Sequence, residues 1–144
     1  MGNAFLPKPG RFGTLPNLLV GRCAAAIGNS TTTVYNFGSH PAVCLITRAV
    51  VSAGTVPVSS AGTILATLEK YDASADAAVT LSGSIDLEAL TAHEGTAVPL
   101  LTTLTDAQRT LDTGDTLRLS VVTTSTVGTA AVDLTCNIEL LVQG

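Results

Sequence analysis

The segment "AVDLTCNIELLV" (131–142) alternates with a period of two. Val132, Leu134, Cys136, Ile138, Leu140 and Val142 share one side, and Asp133, Thr135, Asn137 and Glu139 share the other. Successive side chains of a strand point to opposite faces. Six apolar positions in one phase therefore commit this stretch to a β-strand, one face in a core and one in water. "DTLRLSVV" (115–122) repeats the pattern, with Leu117, Leu119 and Val121 set against Thr116, Arg118 and Ser120. The polar "TTSTVGTA" between them contains Gly128 and reads as a hairpin connection. The two strands are thus expected to pair antiparallel.

Upstream, further strands are predicted in "LLVGRCAAAI" (18–27), "TTTVYNF" (31–37), "AVCLITRAVVSA" (42–53), "GTILATLEKYD" (62–72) and "AAVTLSGSI" (77–85). The third is a nearly continuous apolar run and suggests a buried central strand. The fourth reads as a strand ending in a charged tip. The alanines of the first also allow a short helix. Only "DLEALTAHEG" (86–95) has helical flavour, for a turn or two. Seven or eight short strands and almost no helix predict an all-β fold, an antiparallel β-sandwich or jelly roll.

The first 17 residues, "MGNAFLPKPGRFGTLPN", hold three prolines and three glycines. Proline removes a backbone donor and glycine raises the entropic cost of order. Residues 1–17 are therefore read as an extended N-terminal arm, and 18–144 as a single β-sandwich domain. Phe5, Leu6, Phe12 and Leu15 give the arm apolar anchors that a simple disordered tail lacks. They are expected to dock on another subunit, or else on the arm's own domain.

Composition narrows the function. Charged residues are 12%, about half the roughly 25% usual in soluble proteins. A surface this sparsely charged does little to oppose association, and a homo-oligomer is expected. The net charge is −4, and the seven basic residues are scattered from Lys8 to Arg118, so nucleic acid is not an expected partner. No segment approaches the roughly 20 apolar residues of a membrane helix. Nor does "LLVGRC" make a lipoprotein signal, because Arg22 stands where a small residue is needed. With no leader expected, synthesis is placed in the cytoplasm, and the Asn29-Ser30-Thr31 sequon carries no weight. Cys23, Cys44 and Cys136 form no C-x-x-C pair and are read as free, buried thiols.

The candidate chemistry is thin. "TLDTGDTLRL" (110–119) contains Asp112-Thr113-Gly114, the triplet of the aspartic proteases, where two such aspartates share one proton. That family follows the glycine with Ala or Ser, whereas this chain has Asp115, which would add a third carboxylate to the dyad. The triplet is therefore read as a turn, with the Asp112 side chain bonding turn N–H groups and Gly114 free to take positive φ. His93-Glu94 is a possible acid/base pair without an oriented third partner. Cys44, with His40 nearby, lies inside an apolar strand, where thiols are inert. Asp72 and Asp76 in "YDASAD" are the best candidates for a weak Ca²⁺ site and are read as a solvated loop. No enzyme activity, catalytic residue, metal or cofactor is expected.

The arm "MGNAFLPKPGRFGTLPN", and "LTDAQRTLDTGDTLRLSVV" leading into "AVDLTCNIELLV", resemble the small decoration (cement) proteins of tailed-bacteriophage heads. The resemblance implies a virion structural protein, made in the host cytoplasm, that binds the outside of an assembled capsid. Its partner would be the major capsid protein, whose capsomers it bridges as a trimer at threefold positions or a dimer at twofold ones, the trimer being favoured. The alternative is a tail or fibre β-module that binds a host receptor or glycan. Sugar-binding sandwiches stack aromatic rings on sugar faces, and this domain offers only Tyr35, Phe37 and Tyr71.

Overall fold

A computed structural model describes residues 16–143. It places β1 (Pro16–Arg22), β2 (Thr32–Gly38), β3 (Cys44–Ser52), β4 (Val58–Ser59), β5 (Ile64–Asp72) and β6 (Ala77–Thr80) in the first half. There follow β7 (Ile85–Asp86), β8 (Thr96–Ala97), β9 (Thr110–Leu111), β10 (Thr116–Thr123), β11 (Val127–Thr129) and β12 (Thr135–Val142). One sheet has the order β1-β12-β3-β8, with β9 also on β3. The other has the order β2-β10-β5-β6, with β7 also on β5, and β4 and β11 form a separate ribbon. The pairings are antiparallel. Because the chain steps repeatedly from sheet to sheet, this strand order is that of a double-sheet jelly roll. The all-β sandwich expected from the alternation is the observed fold.

The predicted faces hold through most of the two alternating strands. Leu117, Leu119, Val121, Leu134, Cys136, Ile138 and Leu140 are buried in one core shared by both sheets. Val132 departs from the pattern and is 50% exposed. Asp133 follows it at φ 52, which breaks the two-residue alternation just before β12 begins.

The expected pairing of these two strands is wrong. β10 lies between β2 and β5, whereas β12 lies between β1 and β3, in the opposite sheet. "TTSTVGTA" is not a hairpin but an arch that carries the chain across the sandwich. Its middle forms β11, which pairs with β4. Both strands carry an unbroken apolar face, and placing them at the centres of opposing sheets lets each face cover the other. A hairpin would have laid the two faces side by side and left both needing another layer.

The run "AVCLITRAVVSA" is central, as expected, between β12 and the short β8 and β9. It is not buried on both faces, however. The register against β12 shifts between Glu139 and Leu140. The buried phase of β3 moves with it, from Cys44 and Ile46 to Ala49 and Val51. A bulge inserts one extra residue and so reverses which side chains face inward. That phase reversal hides the period-two pattern and makes an alternating strand look continuously apolar.

Two further corrections concern polar groups. Lys70, assigned to a charged tip of β5, continues the inward phase of Ile64, Ala66 and Leu68 and is 2% exposed. A one-turn helix, Asp106–Arg109, forms where no helix was expected. Thr105 and Gln108 close a capping box around it, each side chain meeting the other's backbone N–H. The "DLEALTAHEG" segment supplies only a 3-10 turn, Leu87–Ala89. β1 also takes in Pro16 and Asn17, which were assigned to the arm.

Leu119 and Ile138 are fully enclosed, and truncating either to alanine leaves a cavity. Each substitution is expected to cost about 2–5 kcal/mol in urea unfolding. Val122→Ala, on the outer face of β10, is expected to fall within about 0.5 kcal/mol of the parent.

Candidate functional site

The Asp112-Thr113-Gly114 triplet sits in the turn joining β9 to β10. Gly114 takes φ +97, and the Asp115 N–H donates to the Asp112 carbonyl at 3.0 Å. The turn is as expected, but the carboxylate that holds it is a different one. Asp112 is exposed. Asp115, 3% exposed, accepts from the Asp112 N–H and from the Ala73 N–H, both at 3.0 Å. It thereby ties the β9–β10 turn to the β5–β6 turn. Beneath them the Lys70 ammonium donates to the Thr110 carbonyl at 2.7 Å and stands 3.7 Å from the Asp115 carboxylate. Burying two charges is costly unless each is paired and hydrogen-bonded, and this cluster satisfies both. Inward-facing Lys70 and the loss of Asp115's freedom make the triplet's surroundings a clamp.

The structure does bring Cys44 and His40 together. The Cys44 sulfur is 3.1 Å from His40 Nδ1 and donates to the Ala42 carbonyl at 3.2 Å. The Ala42 N–H also donates to Nδ1 at 3.1 Å, and the far ring nitrogen meets the Asn17 amide at 3.0 Å. A Cys-His contact of this length is what nucleophilic catalysis needs. Access and ionisation are what it lacks. Cys44 is fully enclosed, and burial pushes its thiol up from the ordinary value. The contact closes the β2–β3 loop onto β1, and the thiol acts as a small hydrophobic side chain.

His93 and Glu94 are both exposed, and no hydrogen bond or ion pair joins them. His93 takes φ 64, and its N–H donates to the Ala53 carbonyl at 2.8 Å, so this residue shapes a loop. Asp72 and Asp76 are brought to one hairpin, but their oxygens point at protein donors. One Asp72 oxygen accepts from the Ser74 N–H, the Ser74 hydroxyl and the Ala75 N–H at 2.7 to 3.0 Å. These bonds, the hydroxyl's first, hold the carboxyl below its ordinary range. Asp76 accepts from the Tyr71 hydroxyl. Among the described residues no group of three His, Cys, Asp or Glu side chains could hold a metal ion.

Two side chains hold loops in roles that the sequence does not announce. Glu88 reaches from the 3-10 turn and accepts from the Ser59 N–H at 2.6 Å, the Ser59 hydroxyl at 2.9 Å and the Ile64 N–H at 3.2 Å. Asn29, from the sequon, accepts from the Val127 N–H at 2.9 Å and holds the arch. Nothing in their local sequence marks them, because each acts on backbone far away in the chain.

The three domain aromatics are also engaged. Tyr35 is buried, with its hydroxyl donating to the Ala25 carbonyl at 2.9 Å. Phe37 packs on Gly21, where any Cβ would collide with the ring. Arg118 lies over the Tyr71 ring at 5.0 Å and pairs with Glu69 at 2.9 Å. A concavity of about 570 Å³ lies where the chain leaves β1 and enters β12 and is lined by Ala24, Ala25, Ala26, Ala131 and Val132, with Arg22 and Asp133 among its polar residues. Cys23 also lines it. Burial, and after it neighbouring Cys136, pushes that thiol up to about 12, which leaves it unreactive near neutral pH. The arm anchors Phe5, Leu6, Phe12 and Leu15 lie outside the described residues.

Two outcomes are expected. Asp112→Asn should change stability by less than about 0.5 kcal/mol, whereas Asp115→Ala should cost on the order of 3–5 kcal/mol because it strands buried Lys70; urea titration measures both. Glu88 has its pKa lowered from the ordinary 4.5, chiefly by the Ser59 N–H bond. A lowered folded pKa contributes stability above the unfolded value and loses it as pH falls through the folded one. The margin of the parent over Glu88→Gln should therefore be full near neutral pH and shrink below 4.5. Paired thermal melts along that range measure it.

No protein-family model, no curated protein and no solved structure matches this chain.

Proposed function

We propose that this chain is a non-enzymatic virion structural protein, a decoration or cement protein that binds the outside of a phage capsid and bridges neighbouring copies of the major capsid protein. The observation that carries the reading is how the jelly roll spends its polar groups. Asp72, Asp115 and Glu88 fasten turns, while the outer sheet faces present aliphatic side chains. Leu18 and Val20 on one sheet, and Val34 and Val122 on the other, are 42% to 60% exposed. A rigid body of this kind is suited to many modest contacts, and repetition over a shell turns modest contacts into strong retention.

Jelly rolls serve in both capsid and lectin domains, so the fold by itself does not choose between them. The engagement of Tyr35, Phe37 and Tyr71 counts against the receptor- or glycan-binding alternative, since Tyr35 is buried, Phe37 packs on Gly21 and Arg118 lies over the Tyr71 ring. Capsid binding is assigned to the outer faces together with the arm anchors.

The test is light scattering of the purified protein, first alone and then mixed with assembled capsids of the virus that encodes it. Saturable co-migration at a fixed copy number is the expected result. A chain lacking residues 1–15 should remain folded, because β1 begins at Pro16, and should lose capsid binding. A full-length protein that ignores the capsids would overturn the cement reading in favour of a tail or fibre module.

A further inference from the structure

The sheet edges of the described residues are treated unequally. A strand edge carries unpaired N–H and C=O groups and recruits another strand unless it is short, bulged, charged or covered. β6 is four residues long, and β8 and β9 are two each. β2 is longer, but its register against β10 is broken between Leu117 and Arg118. Apart from Pro16 at its start and Arg22 at its end, β1 has none of these defences among the described residues. It runs seven residues in unbroken register along β12. Its outward side chains include Leu18 at 60% and Val20 at 52% exposure, and its one charge, Arg22, stands at the very end.

The phase of the free edge follows from one bond. The Cys23 N–H donates to the Leu134 carbonyl at 3.0 Å, in the same register as the rest of the pair. Antiparallel strands alternate between residues that bond one neighbour and residues that bond the other. Gly21 and Leu19 therefore face β12 like Cys23, and the amides of Leu18, Val20 and Arg22 face the open side. Pro16 is in that same outward phase, where the lack of an N–H costs nothing inside the sheet. The Leu18 N–H is held at 2.9 Å by the Asn17 side chain, a local bond that a strand partner can replace.

We infer that β1 is a dimerisation strand, pairing antiparallel with β1 of a second copy about a twofold axis at Val20. In that register Val20 bonds the partner's Val20, and Leu18 bonds the partner's Arg22. Every outward donor of β1 then has an acceptor, and the two five-stranded sheets become one continuous sheet. Charge sets the same register. On the outer face Leu18 lies beside Glu139, and Glu139 beside Arg48. The partner's Arg22 falls in that row on the far side of Leu18. Its aliphatic stem can lie on the leucine while its guanidinium faces Glu139. Arg22 has no carboxylate partner within its own chain among the described residues. The register also brings the partner's Pro16 opposite Ala24, one of the alanines of the 570 Å³ groove.

This pairing takes the dimer rather than the trimer, and it rests on the edge geometry alone, so it stands or falls separately from the capsid reading. The native mass of the full chain should approach twice 14.6 kDa as concentration rises. Val20→Lys sets two like charges face to face at the axis, on a side chain already exposed. It should return the mass to that of the monomer, with the circular dichroism of the parent and the melting temperature that the parent shows at low, monomeric concentration. Val20→Cys should be captured as a disulfide-linked dimer under mild oxidation, and the parent should not. A monomer at every concentration, a trimer, a Val20→Lys protein that still dimerises, or a Val20→Cys protein that fails to cross-link would each overturn the inference. Capsid binding by a strictly monomeric protein would retain the cement reading and discard the dimer.

Discussion

The structure depends on the apposition of two alternating strands at the centres of opposite sheets. Leu119 on β10 and Ile138 on β12 are wholly buried, and each is flanked along its strand by buried residues two positions away. A slip of one residue in either strand would turn every one of those side chains outward. Register in the middle of the sandwich is thus fixed by hydrophobic burial, and the flanking strands inherit it. With so few aromatic rings, the core is filled by Leu, Ile and Val. Ala49, Ala53 and Ala66 are the small residues among them, and small positions of this kind let opposing branched chains interdigitate.

Once the sheets are fixed, the ends of the sandwich must be closed, and carboxylates do this work. Asp115 links two turns across the chain, Asp72 organises the hairpin tip, and Glu88 pins the start of β5 to the loop before it. Each accepts from backbone N–H groups that would otherwise go unpaired at a turn. The surface is weakly charged because acidic residues are few to begin with: Asp76, Asp86, Glu94, Asp106, Asp112 and Asp133 are exposed, and only Asp115 is buried.

The parts legible in the sequence were those governed by period alone. Alternation identified β10 and β12, and it assigned Leu117, Leu119, Cys136 and Ile138 to the core. It could not say which strand neighbours which, because a period of two reports a face and is silent on partners. Hence "TTSTVGTA" reads as a hairpin connection, although it belongs to an arch between the two sheets. The β3 bulge erased the same signal locally by reversing its phase. The Asp112 triplet was legible as a turn but not as a clamp. Asp115 acts on Ala73, and Lys70 on Thr110, contacts some forty residues apart in the chain. The capping box of Thr105 and Gln108 has a recognisable Thr-x-x-Gln spacing, but a single turn between apolar stretches carries no amphipathic period to mark a helix. The Cys44–His40 contact shows the converse limit: proximity in sequence hinted at the pair, but only burial decided that the thiol is inert.

Edge protection joins the fold to its use. A jelly roll is an open sandwich, and each outer strand must be shielded or employed. Here brevity shields β6, β8 and β9, and a register break distorts the pairing of β2. Those devices cost little, because a short or bulged strand gives up only a few ladder bonds. β1 could have been blunted as cheaply, by a lysine in place of Val20 or a bulge against β12. Instead it keeps a regular ladder, two exposed aliphatic side chains and an arginine placed at one end only. Stability of the isolated domain does not explain that choice, since the exposed positions contribute little to the core. The proposed β1 pairing would account for it: an edge that is long, straight and apolar is a hazard in a protein that works alone and a ready interface in one that works in multiple copies.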